Sequence, residues 1–165
     1  CRRRCPLTVL RRGWSADAVV VVILVVLHFT LYRFFGAWPA MPNLLIGGLL
    51  LAALRMRAGY AAFLGFGLGV LEAAMGMEGL GTLSLVLTLV GYLGARSRDL
   101  LFADARHYVF IYLFVGTWIA EVALILAMPG VANLLGALVL APVSAFGTAV
   151  VCGAAEAVAS TLRRP

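Results

Sequence analysis

The chain has 165 residues, 64% of them hydrophobic and 12% charged, with a mean hydropathy of +1.05. That balance excludes an ordinary water-exposed globule, because a surface so apolar needs lipid around it. At about 20 residues and about 30 Å per crossing, the length suits one domain of at most about six transmembrane helices, with no separate soluble domain. The formal charge of +6 would point to nucleic acid in a soluble protein. Here the excess sits at the ends of apolar runs, so the expected partner is an anionic lipid leaflet and no nucleic acid.

Twelve of the 13 arginines fall into four clusters: Arg2 to Arg12, Arg55 and Arg57, Arg96 to Arg106, and Arg163 with Arg164. Basic residues accumulate at the cytoplasmic ends of spans, so clusters separated by pairs of apolar runs predict six crossings with both termini cytoplasmic. The expected organisation is a basic segment over 1–16 followed by a single six-helix domain over 17–162. Cys1 and Cys5 flank three arginines on the reducing side and Cys152 lies in an apolar run, so free thiols are expected. A Cys-x3-Cys pair is also short of the four ligands zinc needs, and neither His28 nor His107 is suitably spaced. No metal or cofactor is expected.

In chain order, helix one is predicted from about Asp17 to Gly36, with Ser15 or Asp17 as its cap. Its Val/Ile-rich stretch would read as strand in water, but an unpaired strand cannot satisfy its backbone in lipid. Leu44 to Leu54 is an apolar run of only eleven residues. Extended from Met41 to Met56 it gives about 24 Å of helix, enough to cross if the bilayer thins or neighbours cover its end. Helix three, Ala58 to about Met75, carries Ala61, Gly65, Gly69 and Ala73 four apart on one face. Helix four, about Gly81 to Ala95, repeats the device with Gly81, Ser84, Thr88, Gly91 and Ala95. Such faces let backbones approach closely, which is how helices associate in lipid. Helix five is predicted from about Tyr108 to Met128, and helix six from about Val131 to Ser160 with a kink at Pro142.

Four ionisable residues lie at membrane depth: His28, Arg33, Glu72 and Glu121. Each costs at least about 2.5–3.5 kcal/mol near the bilayer centre, so they are expected to face the bundle or snorkel. Glu72 lies beside the small face of helix three, and Arg33 and Glu121 occupy overlapping heights, which predicts an ion pair between helices one and five. A buried polar clasp is preferred over a proton relay or solute site, and a packing role is expected for His28. Catalytic patterns are missing: Gly65-Phe66-Gly67-Leu68-Gly69 lies inside an apolar helix rather than after a strand, and no metalloprotease or nucleophile-elbow motif occurs.

From Met41 onward the sequence resembles the MreD family of rod shape-determining integral membrane proteins. Met41-Pro42-Asn43 opens the short second span where that family often has Arg-Pro-Asn/Asp. Gly69-Val-Leu-Glu72-Ala-Ala-Met-Gly76, followed by Leu80-Gly81, follows its Gly-x-x-Asp-x-x-x-Gly, Leu-Gly pattern. Gly91-Tyr92-Leu93 in helix four, the acidic Glu121 and the late Pro142 continue it. The departures are Glu72 for the usual Asp and Met41 for the common Arg.

The resemblance implies a non-enzymatic scaffold in the bacterial inner membrane, with a six-helix fold similar to the substrate-binding components of energy-coupling-factor transporters. It also implies binding to an MreC-like partner and, through it, influence on a RodA-type glycosyltransferase and a penicillin-binding transpeptidase of peptidoglycan synthesis. Pro42, Asn43, Gly65, Gly69, Glu72, Gly76, Gly81, Gly91, Tyr92, Glu121 and Pro142 are then the expected packing or interaction residues. The alternative is a small-solute-binding subunit of an energy-coupling-factor-type transporter, which would need an outward polar or aromatic pocket. A third reading, an intramembrane enzyme, would need Ser84 or Ser144 to meet His28.

The predicted topology is checked by single-cysteine labelling in a background lacking native Cys. Met77→Cys should react with an impermeant thiol reagent in intact cells, and Ser97→Cys should react only after the membrane is opened.

Overall fold

The computed structural model describes residues 7–35, 42–76, 80–97, 106–127 and 134–162; the side chains of 7–18, 32, 35, 76, 80, 106–108, 134 and 162 fall outside that description. Among the described residues there are six α-helices and no strand: α1 (Leu7–Phe35), α2 (Leu44–Ala53), α3 (Ala58–Gly76), α4 (Leu80–Ser97), α5 (Arg106–Ala127) and α6 (Leu134–Leu162). Three of them, over Ala58–Met75, Val109–Ala127 and Leu135–Thr161, are long and apolar enough to cross a membrane, and Val19–Leu31 and Leu44–Ala53 are shorter apolar stretches. With hydrocarbon outside as well as inside, this is a membrane protein. Phe34, Phe63, Leu85, Leu135 and Val139 are each at least 70% exposed, an arrangement that lipid favours and water opposes.

The shortest helix is the centre. Every residue of α2 from Leu44 to Ala53 is buried, and α2 touches each of the other five helices. A helix that is apolar on all sides has no solvent face and is stable only inside protein or lipid. At ten residues it rises about 15 Å, half of a hydrocarbon core, so both of its ends fall within reach of protein. Asn43 supplies the first cap: its side-chain oxygen accepts from the Ile46 N–H at 3.3 Å. At the other end the amides of Arg55 and Met56 both donate to the Ala52 carbonyl at 3.0 Å, closing the turn before α3. Unsatisfied helix ends are costly away from water, so these local bonds are a condition of burying α2.

Around α2 the outer helices run in the order α3, α4, α5, α6, α1, and the ring is open between α1 and α3, whose backbones do not approach each other. The tightest seam joins α3 to α4. A Cβ on Gly69 would lie 2.5 Å from the Ser84 Cα, and one on Gly65 or Gly91 would collide with the backbone at Leu87 or Ala61. Ala61, Ala73, Ser84 and Ala95 are buried along the same seam. The expected small-residue faces therefore meet one another. Gly81 departs from that expectation: it is exposed and faces open space, because it lies one turn beyond the last close approach at Ser84.

Helix ends differ from the sequence expectation chiefly in α1, which starts at Leu7 rather than Asp17. Leu and Arg are strong helix formers and no proline interrupts residues 7–16, so the helix continues back through the basic segment and Ser15 and Asp17 are interior positions. Helix α6 runs unbroken through Pro142 for 29 residues. Cys152 is free and buried, as a thiol in an apolar run should be. Cys1, Cys5, Glu78 and the Arg98–Asp104 loop lie outside the described residues, as do the surroundings of Gly76 and His107.

Gly69→Leu should wedge α3 from α4, since the obstacle is backbone rather than a movable side chain. Overpacking of this kind costs about 1–3 kcal/mol or more. Gly67→Leu, two residues away and facing open space, should leave abundance and thermal stability in detergent near wild type. Equal behaviour of the two variants would remove the packing role of Gly69.

Candidate functional site: polar contacts between apolar helices

Three polar side-chain contacts link one helix of the bundle to another among the described residues, and each follows from where the ring places its elements. His28 lies on the inner face of α1, one turn after the buried Leu24, and is 8% exposed. Its ring stands edge-on to Phe29 at 5.4 Å. Across the opening between α1 and α3, His28 Nε2 is 3.9 Å from Glu72 Oε1. That is an ion-pair distance when the imidazole is protonated and too long for a direct hydrogen bond. Glu72 sits three residues past Gly69, at the flank of the α3 packing face, so the glycines turn toward α4 while the carboxylate turns toward α1. The histidine expected to serve packing alone is thus the residue facing Glu72.

The second contact joins α5 and α6. Ser144 Oγ donates to Glu121 Oε1 at 2.6 Å, and Thr148 Oγ1, one turn later, donates to the Ser144 carbonyl at 3.0 Å. Thr117, one turn before Glu121, is fully buried and its hydroxyl has no hydrogen-bond partner among the described residues. These four residues form a polar strip in an otherwise apolar interface. Thr148 and Cys152 also pack directly against Gly47 of α2, where a Cβ would collide with both side chains.

The expected pair between Arg33 and Glu121 does not form. Arg33 is exposed on α1, α1 makes no approach to α5, and the Glu121 carboxylate is engaged by Ser144. Equal depth in the membrane is not equal azimuth: α6 and α2 stand between α1 and α5. An arginine near a helix end is accommodated by snorkelling to the interface without a buried partner.

A third contact was not foreseen. Arg55, directly after α2, pairs with Glu156 of α6 through Nη2 and Oε1. Both are partly buried, at 30% and 22% side-chain exposure. The signal available in sequence was depth: Glu156 is the one acidic residue in the last third of helix six, and Arg55 begins the basic cluster at the same end of the bundle. Helices α2 and α6 run side by side in the same direction, with Pro42 beside Gly147 and Gly47 beside Thr148, which brings the two together.

The remaining expected residues have simpler surroundings. Asn43 caps α2, Pro42 packs on Gly147, Gly65 and Gly91 serve the α3–α4 seam, Tyr92 is 46% exposed on α4, and Pro142 is half-buried within α6. Among the described residues no group of three His, Cys, Asp or Glu side chains could hold a metal ion. Ser144, one of the hydroxyls required by the enzyme reading, is committed to Glu121. Clefts open between outer helices among the described residues. One of about 310 Å³ lies between α4 and α5 and one of about 360 Å³ between α5 and α6, the latter reaching Glu156 and Ser160. Both have walls dominated by aliphatic side chains.

A double-mutant cycle on Arg55→Ala and Glu156→Ala should show coupling between the ~1 kcal/mol of an exposed pair and the ~3–5 kcal/mol lost on breaking a buried one. The same cycle on Arg33→Ala and Glu121→Ala should be additive. Thermal unfolding in one detergent checks both, and coupling confined to the second pair would contradict the helix order around α2.

Comparison with family models, with characterised proteins and with solved structures finds no match to this chain.

Proposed function

We propose that the chain is a non-catalytic scaffold of the bacterial cell-elongation machinery. It crosses the inner membrane six times with both termini in the cytoplasm, binds an MreC-like single-anchor partner, and through it influences a RodA-type glycosyltransferase and a penicillin-binding transpeptidase. The resemblance from Pro42-Asn43 through Gly69, Glu72 and Gly91 motivates this reading. The observation that supports it most is the use made of the residues that carry it: Asn43 caps the central helix, Gly65, Gly69 and Gly91 close the α3–α4 seam, and Glu72 faces His28 across the ring opening. A protein whose inner polar groups tie helices together is suited to presenting a fixed surface to another membrane protein.

Six crossings accord with the alternation of Arg clusters along six helices, provided that α2 crosses as an enclosed short helix whose ends are covered by its neighbours. The solute-binding alternative calls for a polar or aromatic pocket at the end away from the Arg clusters. The clefts described above are lined mainly by aliphatic residues, and each reaches the arginine-rich end, at Ser97 or at Ser160.

Affinity purification of the tagged protein from bacterial membranes in mild detergent tests the reading. The expected result is recovery of a single-anchor periplasmic protein in near-stoichiometric amount, reduced in Gly69→Leu and retained in Gly67→Leu. A tightly bound small solute with no such protein would replace the scaffold by the transporter-subunit reading.

A further inference from the structure

The seam between α4 and α5 is looser than that between α3 and α4, and the reason lies beneath it. A Cβ on Gly116 would sit 2.8 Å from Leu50 Cδ1, and one on Gly94 would sit 3.1 Å from Leu50 Cδ2 and 2.7 Å from Tyr112 Oη. The two glycines admit the Leu50 side chain of α2 between the helices, so α4 and α5 straddle it and leave a cleft above it. The cleft holds about 310 Å³, about twice the ~150 Å³ cavity that accepts one benzene molecule. It follows α4 from Val90 to Ser97 and α5 from Ile111 to Ile119, a length of about 10–12 Å against about 15 Å for one leaflet.

Those dimensions favour a hydrocarbon chain over a helix. A helix 10–12 Å across would displace on the order of 1,000 Å³ over the same length and would rest on the rims without filling the cleft. Charge selects the head group. Arg96 is exposed and lies three residues after the rim residue Leu93, hence on the same side of α4. Ser97 forms the polar end of the cleft, its hydroxyl donating to the Gly94 carbonyl at 3.0 Å, and among the described residues no acidic side chain lines it.

We propose that this cleft is a binding site for an anionic phospholipid, with one acyl chain between α4 and α5 over Leu50 and the phosphate at Arg96. Guanidinium meets phosphate through two parallel charge-assisted hydrogen bonds, which separates this site from apolar surface with no cation beside it. The site requires only that the bundle be embedded in lipid and is independent of the partner proposed above.

The test uses the full chain in phosphatidylcholine nanodiscs containing a minor share of phosphatidylglycerol with a diazirine in its acyl chain. After irradiation, adducts should concentrate on Leu93, Ile111, Val115 and Ile119, above the more exposed Leu135 and Val139. Arg96→Gln should lower phosphatidylglycerol adducts about fivefold, the equivalent of ~1 kcal/mol for one basic residue at an anionic surface, and Arg96→Lys should retain part of them. Val115→Trp should fill the cleft and remove the phosphatidylglycerol adducts there; if that variant does not fold, Ile119→Phe serves the same purpose. Adducts that simply follow exposure, or that are indifferent to Arg96→Gln and to cleft filling, would overturn the proposal. So would loss of a copurifying single-anchor protein on cleft filling while lipid adducts persist, which would make the cleft a groove for a partner helix.

Discussion

A ten-residue helix with no polar face can exist in a membrane only if other protein encloses it, and the rest of this fold is arranged to do so. Helix α2 provides about 15 Å of rise where a span needs about 30 Å. Its backbone ends must therefore be satisfied by nearby protein groups: Asn43 at one end and the Ala52 carbonyl turn at the other. Its sides are covered by the five other helices, all of which lie against it. Where they come closest, the contact is made by small residues: Gly47 under Thr148 and Cys152, Gly48 against Leu24, and Gly94 and Gly116 over Leu50. Leu24, Leu49, Leu87 and Leu113 complete the core.

Enclosing one helix with five leaves the ring incomplete, and the opening falls between α1 and α3. The backbones stay apart there, and His28 and Glu72 reach across. A carboxylate and an imidazole face each other where two apolar faces would need a close approach that the ring does not provide. The other polar contacts occur where helices are already adjacent: Glu121 with Ser144 between α5 and α6, and Arg55 with Glu156 between α2 and α6. In each case a side chain costly to bury alone is held by one on another helix, so these contacts fix rotation and register in an interface where dispersion discriminates poorly.

Arginine has two roles in the chain. Arg96 and Arg33 are exposed near helix ends, where a long aliphatic stem lets the charge reach the head groups. Arg55 turns inward instead, because the tight turn after Ala53 and the neighbouring end of α6 bring Glu156 within reach. Composition does not distinguish them; the path of the chain after each residue does.

The sequence by itself determined the elements and the local devices. Hydropathy marked six apolar runs and small residues four apart marked the α3–α4 faces, whereas the second helix, expected from Met41, starts only after its Asn43 cap. These are short-range properties, set by spacing along one helix and by the need of backbone groups in lipid to bond internally. Only the tertiary structure decided which helices are neighbours. It put the shortest run at the centre, opened the ring between α1 and α3, gave Glu72 to His28 and Glu121 to Ser144, joined Arg55 to Glu156, and left Arg33 exposed. Depth can be read from the distance to a helix end, at about 1.5 Å per residue. The angular order of helices around α2 depends on how all six pack at once, and no single segment of the chain encodes it.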